Sequence, residues 1–576
     1  MQGRGAVVGR VARRAGSIHD DHPALLTAVL ATGLAVWVYF SLVVHLRTTT
    51  SADPDTALFI WSMGHAPWRI LNGHNPFMTS VIFATSGGAN LAYNATAPGL
   101  GVVMYPVTAL LGPIAAVNVL MILTPVLNTL AARRMLRLIT QRNGVPVSVA
   151  AALIGFSPLV LMHNGGRFQI AFQAVMLLLL AELWSLGWES SRGEHLAITR
   201  AARIGALVGV QLWIGSELLA ITVGIAVIAL ITAVVVDRTA RAGIVVRPTR
   251  RDLVAVGAGI VVVGVVAAPF LSALLFGGER YTHGYHAAAR HLFGLRLANA
   301  VTPTEATLLN DQLPLAVGRS RLSVLPNEDT GYISIAGVAA LAIVAASWRR
   351  RTALQRGAVM VSLICWLLAL GPTIRWAGTG TAPFGPWRVV ERLPVVKEIV
   401  ANRLSFGIFI ALGVLIAGSA RRPTAPDRAA GILRVACWCI PVLLIPARFT
   451  GATRVSAVAE DALRSGCGGG LVITMPQALE HDAMAWQARS DFGFDLYRGF
   501  AFRNSSNAKG DVIELDQIAV SGSSTDASAS AAVTQLRALK IMCVVSPSAA
   551  ANTVANLSPV LGPPTIAGDV ALWAVP

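Results

Sequence analysis

The sequence predicts a mainly α protein: a polytopic transmembrane helix bundle of about eleven spans that ends in a small extracytoplasmic α/β domain. Three observations carry that expectation. Hydrophobic residues make up 54% of the 576 residues and charged residues only 13%, whereas soluble domains carry about 25% charge. The mean hydropathy is +0.62. Apolar stretches near the ~20 residues needed to cross a bilayer recur along the chain, and basic residues concentrate in alternate gaps between them.

The expected spans are 24–46, 114–132, 146–163, 169–188, 204–213 extending to Gly215, 218–236, 253–276, 331–347, 357–372, 404–420 and 435–447. Ahead of them, residues 1–23 form a basic cytoplasmic N-terminus with Arg4, Arg10, Arg13 and Arg14. The first apolar run is too long for a signal-peptide core and lacks a small-residue cleavage site, so it reads as a retained helix.

Charge then tests the layout. The net charge of +17 could point to a nucleic-acid partner, but its distribution gives a different account. With the N-terminus inside, the inner segments hold 24 bases and seven acids, and the outer segments 22 bases and 21 acids. Glu182 is left inside a span. This is the positive-inside pattern of a multi-pass protein of the bacterial plasma membrane, with membrane lipids as partners and no nucleic acid. Two crossings within 98–132 would place Arg133, Arg134, Arg137 and Arg142 outside, so 98–113 reads as an interfacial or re-entrant piece.

The transmembrane domain thus runs over 24–447, with outer loops 47–113, 277–330 and 373–403, and the extracytoplasmic tail over 448–576. In the tail, 470–476, 541–547 and 571–576 read as strands, 532–539 and 549–561 as helices, and Asn504 to Asp526 as loop. Cys467 and Cys543 could pair if this region faces an oxidising compartment. The glycine cluster Gly466–Gly470 precedes a strand, whereas a phosphate-cradling loop follows one, so nucleotide binding is discounted there. HExxH, Walker and GxSxG patterns are absent from the sequence. The cofactor stays unknown: a divalent metal could serve, and no nucleotide cofactor is expected.

The first outer loop is the most informative segment. Asp53-Pro54-Asp55 follows the first span closely, so two carboxylates sit near the membrane surface on a proline-stiffened backbone. The amphipathic stretch after them carries Phe59, Trp61 and Trp68, which suit a membrane interface. Asn72-Gly73-His74-Asn75-Pro76-Phe77 and Gly88-Ala89-Asn90-Leu91 follow. An acid pair in this position is often only a helix cap, but in a reaction at the membrane surface one carboxylate can take a proton while the other positions the acceptor, binds a metal or stabilises charge.

The acidic motif, the Trp-bearing helix, the NGxNPF turn, the GxNL segment and the proline-glycine segment 98–113 together resemble the large-fold membrane glycosyltransferases of the GT-C superfamily. The likeness is greatest to actinobacterial members that depend on polyprenyl-phosphate sugars. It covers residues 50–118, with weaker echoes at Glu217, Arg403 and the tail. It implies a polyprenyl-phosphate-linked sugar donor, an outer-face acceptor and a first-loop acid as base in an inverting transfer. That role falls to Asp53 or Asp55, with Asp53 preferred because it lies nearer the membrane.

Other outer residues are candidate substrate ligands. His74 and Asn75 lie in the first loop, His163 and Arg167 at one hairpin, Glu217 at another, and Arg280 opens a basic aromatic run, Tyr281 to His291. Arg403, with Arg392 and Lys397 upstream, resembles the family's basic element near the lipid phosphate. His163 and Glu217 could ligate a metal or orient the acceptor, and Arg167 could hold phosphate bidentately. The leading function is transfer of a sugar to a cell-envelope glycan, glycolipid or protein. The alternatives are a transporter or flippase of a lipid-linked saccharide, and a scaffold with a degenerate site.

Overall fold

The computed structural model describes residues 23–190, 192, 194–236, 249–278, 293–310, 328–376, 383–393, 396–419, 428–455, 459–467, 469–501, 513–568 and 570–575. Arg280 and the run 281–291 lie outside these residues.

Among the described residues, five helices are long and apolar enough to cross a membrane: Pro113–Thr140, Val145–His163, Phe168–Ser190, Ser216–Val236 and Ala401–Ser419. Four shorter apolar helices, Pro23–Val38, Pro98–Leu111, Ser334–Ala346 and Ala353–Ala369, accompany them. The expected span 253–276 is not one rod. It forms two helices, Arg250–Val266 and Ala268–Phe276, bent by 74°. The break falls at Ala267, just before Pro269, whose ring and missing N–H disfavour a continuous helix.

Ser405–Ser419 is the central helix, buried along nearly its whole length among Met135, Ile154, Leu177 and Cys365. The outer helices Ser216–Val236 and Arg250–Val266 instead expose Leu230, Val235, Ile260 and Val265. Apolar side chains facing outward along such helices fit a lipid surround.

Polar side chains repair the helix breaks. Asn128, wholly buried, donates to the Ala171 carbonyl and accepts from the Gln173 N–H, each at 2.8 Å, across the gap between Phe168–Ala171 and Ala174–Ser190. Without it two backbone groups would lack partners in an apolar medium, at a cost of several kcal/mol each. Glu182, the carboxylate inside a span, is also satisfied. It meets Arg134 at 2.9 Å, Arg203 at 3.6 Å and Arg200 at 3.7 Å, cations from the basic segments at that end of the bundle.

The tail folds around a five-stranded mixed sheet of order β6-β5-β7-β9-β8, with β5 Leu471–Thr474, β6 Asp495–Leu496, β7 Ile541–Pro547, β8 Thr565–Ala567 and β9 Val570–Ala574. β5 pairs parallel with β6 and β7, so helical crossovers are required: Glu480–Arg489 precedes β6, and Asp526–Ala538 precedes β7. Ile513–Ser521 is also helical, which corrects that part of the loop expected from Asn504 to Asp526, whose residues 504–512 lie outside the described ones. Its Leu515, Ile518 and Ala519 are buried against the sheet side of the tail, while short Ser and Gly segments flank it. Cys467 and Cys543 form a disulfide with Cα atoms 5.7 Å apart.

Among the contacts that seat this unit on the bundle, two involve the segments beside the acidic motif. β1 Thr49–Ser51, just before the acidic motif, pairs antiparallel with β4 Ala452–Arg454 at the start of the tail. The helix Thr56–Leu71 packs on Glu480–Arg489, where Trp61 Nε1 donates to Gln487 Oε1 at 2.7 Å. Trp61 is fully buried there, and Phe59 is buried edge-on against Phe168 at 5.0 Å. These two aromatics therefore meet protein and not the membrane interface that their pattern suggested.

Candidate active site

The acidic motif is built by local hydrogen bonds and two glycines. Asp53 Oδ1 accepts the Asp55 N–H at 3.0 Å, and the Asp53 N–H donates to Ser51 Oγ at 3.2 Å, so a turn leads directly into the helix Thr56–Leu71. Thr56 Oγ1 donates to the Gly165 carbonyl. A side chain at Gly166 would place its Cβ 2.6 Å from Asp53 Oδ1 and would have to displace that carboxylate, so glycine suits the close approach of the hairpin 163–167 to the acid.

That approach assembles a charged network. Arg167 Nη2 meets Asp55 Oδ2 at 3.1 Å and its Nε lies 3.8 Å from Glu328 Oε1. Glu328 Oε2 faces His163 Nε2 at 3.2 Å, and the opposite ring nitrogen of His163 faces the Leu159 carbonyl at 2.9 Å. Both ring nitrogens thus face oxygen atoms. Asn402 Nδ2 donates to the carboxylate and the carbonyl of Glu328, each at 2.8 Å. Arg403 Nη2 reaches Glu328 Oε1 at 3.5 Å while its Nη1 pairs with Glu217 Oε2. Glu217 Oε1 also accepts the Val400 N–H at 3.1 Å.

Glu328 is the hub, and sequence reasoning missed it along with Asn402. Burial would raise its pKa, yet attraction to His163, Arg403 and Arg167 holds it well below the usual carboxylate range. Asp55 moves the other way. Burial raises it, Arg167 and His481 oppose that, and the neighbouring Asp53 and Glu328 add to it. Desolvation thus outweighs the direct ion pair at Asp55, whereas the attraction of His163, Arg403 and Arg167 outweighs it at Glu328.

The structure therefore brings Asp53, Asp55, His163, Arg167, Glu217 and Arg403 into one connected set. It does not bring His74 or Asn75 there. His74 is exposed in its turn. Asn75 donates to the Pro269 carbonyl at 2.8 Å and Ser272 Oγ at 2.9 Å, clasping the bent helix Ala268–Phe276. His163 and Glu217 do not form a joint metal ligand set, since each faces a different partner. Among the described residues no group of three or more His, Cys, Asp or Glu side chains is placed to hold a metal ion.

No protein-family model matches the chain, and no curated protein matches it. Solved structures do. The arabinofuranosyltransferase AftD from Mycobacteria is 14% identical with a TM-score of 0.55, over 96% of this chain and 40% of that one. This chain thus spans 40% of the length of AftD. The archaeal oligosaccharyltransferase AglB from Archaeoglobus fulgidus, in complex with an inhibitory peptide and a dolichol-phosphate, is 11% identical with a TM-score of 0.46, over 92% of this chain and 70% of that one. The likeness to AftD is one of fold.

Proposed function

We propose that the protein is a membrane glycosyltransferase that moves a sugar from a polyprenyl-phosphate-linked donor to a cell-envelope acceptor on the outer face. The observation that carries this reading is the convergence of the acids of 53–55 with Arg167 and Arg403 through Glu328. A transfer of this kind needs a base for the acceptor hydroxyl and cations for the departing phosphate, and both lie within one network.

In the proposed step the acceptor oxygen forms a bond to the anomeric carbon as the anomeric carbon–oxygen bond to the phosphate breaks. Asp53 takes the hydroxyl proton, and the polyprenyl phosphate leaves with the bonding pair. Asp55 holds Arg167 toward the leaving phosphate, where a planar guanidinium can contact two oxygens. Arg403 shares that load, and the anomeric configuration inverts because attack and departure are on opposite faces. The AftD name, an arabinofuranosyltransferase, fits a sugar-transfer reaction.

The test is transfer from synthetic polyprenyl-phosphate sugars by wild type, Asp53→Asn and Asp55→Asn. Asp53→Asn is expected to lose about 100-fold or more in kcat, the usual contribution of a general base. Asp55→Asn should act mainly on the donor KM. Full activity in both variants would sink the assignment.

A further inference from the structure

The helix Glu480–Arg489 in the tail runs alongside the first-loop helix Thr56–Leu71 and in the same direction. Trp61 is hydrogen-bonded to Gln487, and Phe492, just past the end of one helix, packs tilted against Trp68 near the end of the other, ring centroids 4.9 Å apart. Stepping back six residues from Trp61 reaches Asp55, and six back from Gln487 reaches His481. At 1.5 Å per residue both steps are about 9 Å, so the two side chains stand at the same level. In agreement, the charge of His481 acts on the Asp55 carboxylate.

What surrounds His481 is not used by the acid and arginine network. Its ring meets Phe500 edge-on, centroids 6.1 Å apart, and Phe500 is 43% exposed. Beside them Arg498 Nε lies 3.3 Å from Glu480 Oε1, and Arg498 also donates to Gln477 Oε1. An exposed ring next to fixed donors and acceptors is the chemistry that recognises a sugar: the C–H face stacks on the aromatic, and the hydroxyls meet the polar groups. A lipid tail would need a continuous apolar patch, and the charged pair interrupts one here.

We infer that His481 and Phe500, with Glu480 and Arg498 beside them, form a subsite for the acceptor sugar, held next to Asp53 and Asp55. This rests on the glycosyltransferase reading and narrows it: the acceptor is a glycan.

Saturation-transfer NMR on the full-length protein tests it, with methyl α-D-mannopyranoside, methyl β-D-glucopyranoside and methyl α-D-arabinofuranoside as probes. Wild type should saturate the ring C–H protons of at least one probe. Phe500→Ala should weaken that probe about five- to tenfold, the worth of one aromatic contact, while Phe500→Tyr retains it and shows that the fold is intact. If Asp53→Asn transfers sugar normally but Phe500→Ala loses saturation, the subsite stands and the base assignment falls. Saturation of none of the probes by wild type, or equal saturation by Phe500→Ala, overturns the subsite.

Discussion

Glu328 illustrates how one buried carboxylate can organise a site. It is only 4% exposed and faces His163, Arg167, Asn402 and Arg403. Removing its charge leaves cations without their counterpart, a change that costs about 3 kcal/mol or more when the group is buried. Glu328→Gln should therefore lower the melting temperature at pH 7 and raise the donor KM. The sign with pH follows from its depressed pKa: the contribution is present above the unfolded value and is lost as pH falls toward the folded one. Thermal unfolding should show the gap between wild type and Glu328→Gln narrowing below about pH 4. A gap that stays constant down to pH 3 would contradict the ion-pair account. Six of the network's residues were legible because each charge stands at the end of an apolar run, where a solvated or catalytic role is forced. Glu328 was not, because Asn327-Glu328-Asp329 inside a long polar loop looks like any solvated segment until the fold buries it.

At the scale of elements, the first-loop helix Thr56–Leu71 shows the limit of pattern reading. Its aromatic face was visible, but such a face looks the same whether a headgroup layer or another helix covers it. The partner, Glu480–Arg489, lies more than 400 residues away, and no local signal connects the two. The first turn of that partner holds Glu480, which burial pushes up from 4.5 to about 7 despite Arg498, with Asp516 adding to the rise. A carboxylate with a raised folded pKa stabilises below its unfolded pKa and loses that contribution as pH rises through the folded value. The tail should thus lose stability between about pH 4.5 and 7 from this group. Glu480→Gln, already neutral, is expected to flatten that part of the curve and to melt above wild type at pH 8. Calorimetry across pH 5–8 would show it, and parallel curves for the two proteins would refute it.

For the whole molecule, orientation is the quantity that every functional statement leans on. The excess of +17 lies entirely in the segments read as cytoplasmic, and the segments read as outer are nearly neutral with 22 bases and 21 acids. The charged clusters of the fold lie in two separate places. The cations Arg134, Arg200 and Arg203 gather around Glu182 at one end of the bundle, while the acidic motif, Glu328, Arg403 and the tail gather at the other. The tail also carries the Cys467–Cys543 disulfide, a bond that persists in oxidising compartments. The charge partition and the disulfide together motivate the proposal that the N-terminus is cytoplasmic and the tail faces outward. Alkaline phosphatase, which matures only outside the cytoplasm, is therefore expected to be active when fused after Pro576 and inactive when fused after Asn143 or Val245. Activity at Asn143 with none at Pro576 would turn the molecule over and place the acids of 53–55 on the cytoplasmic side, where an outer-face acceptor could not reach them.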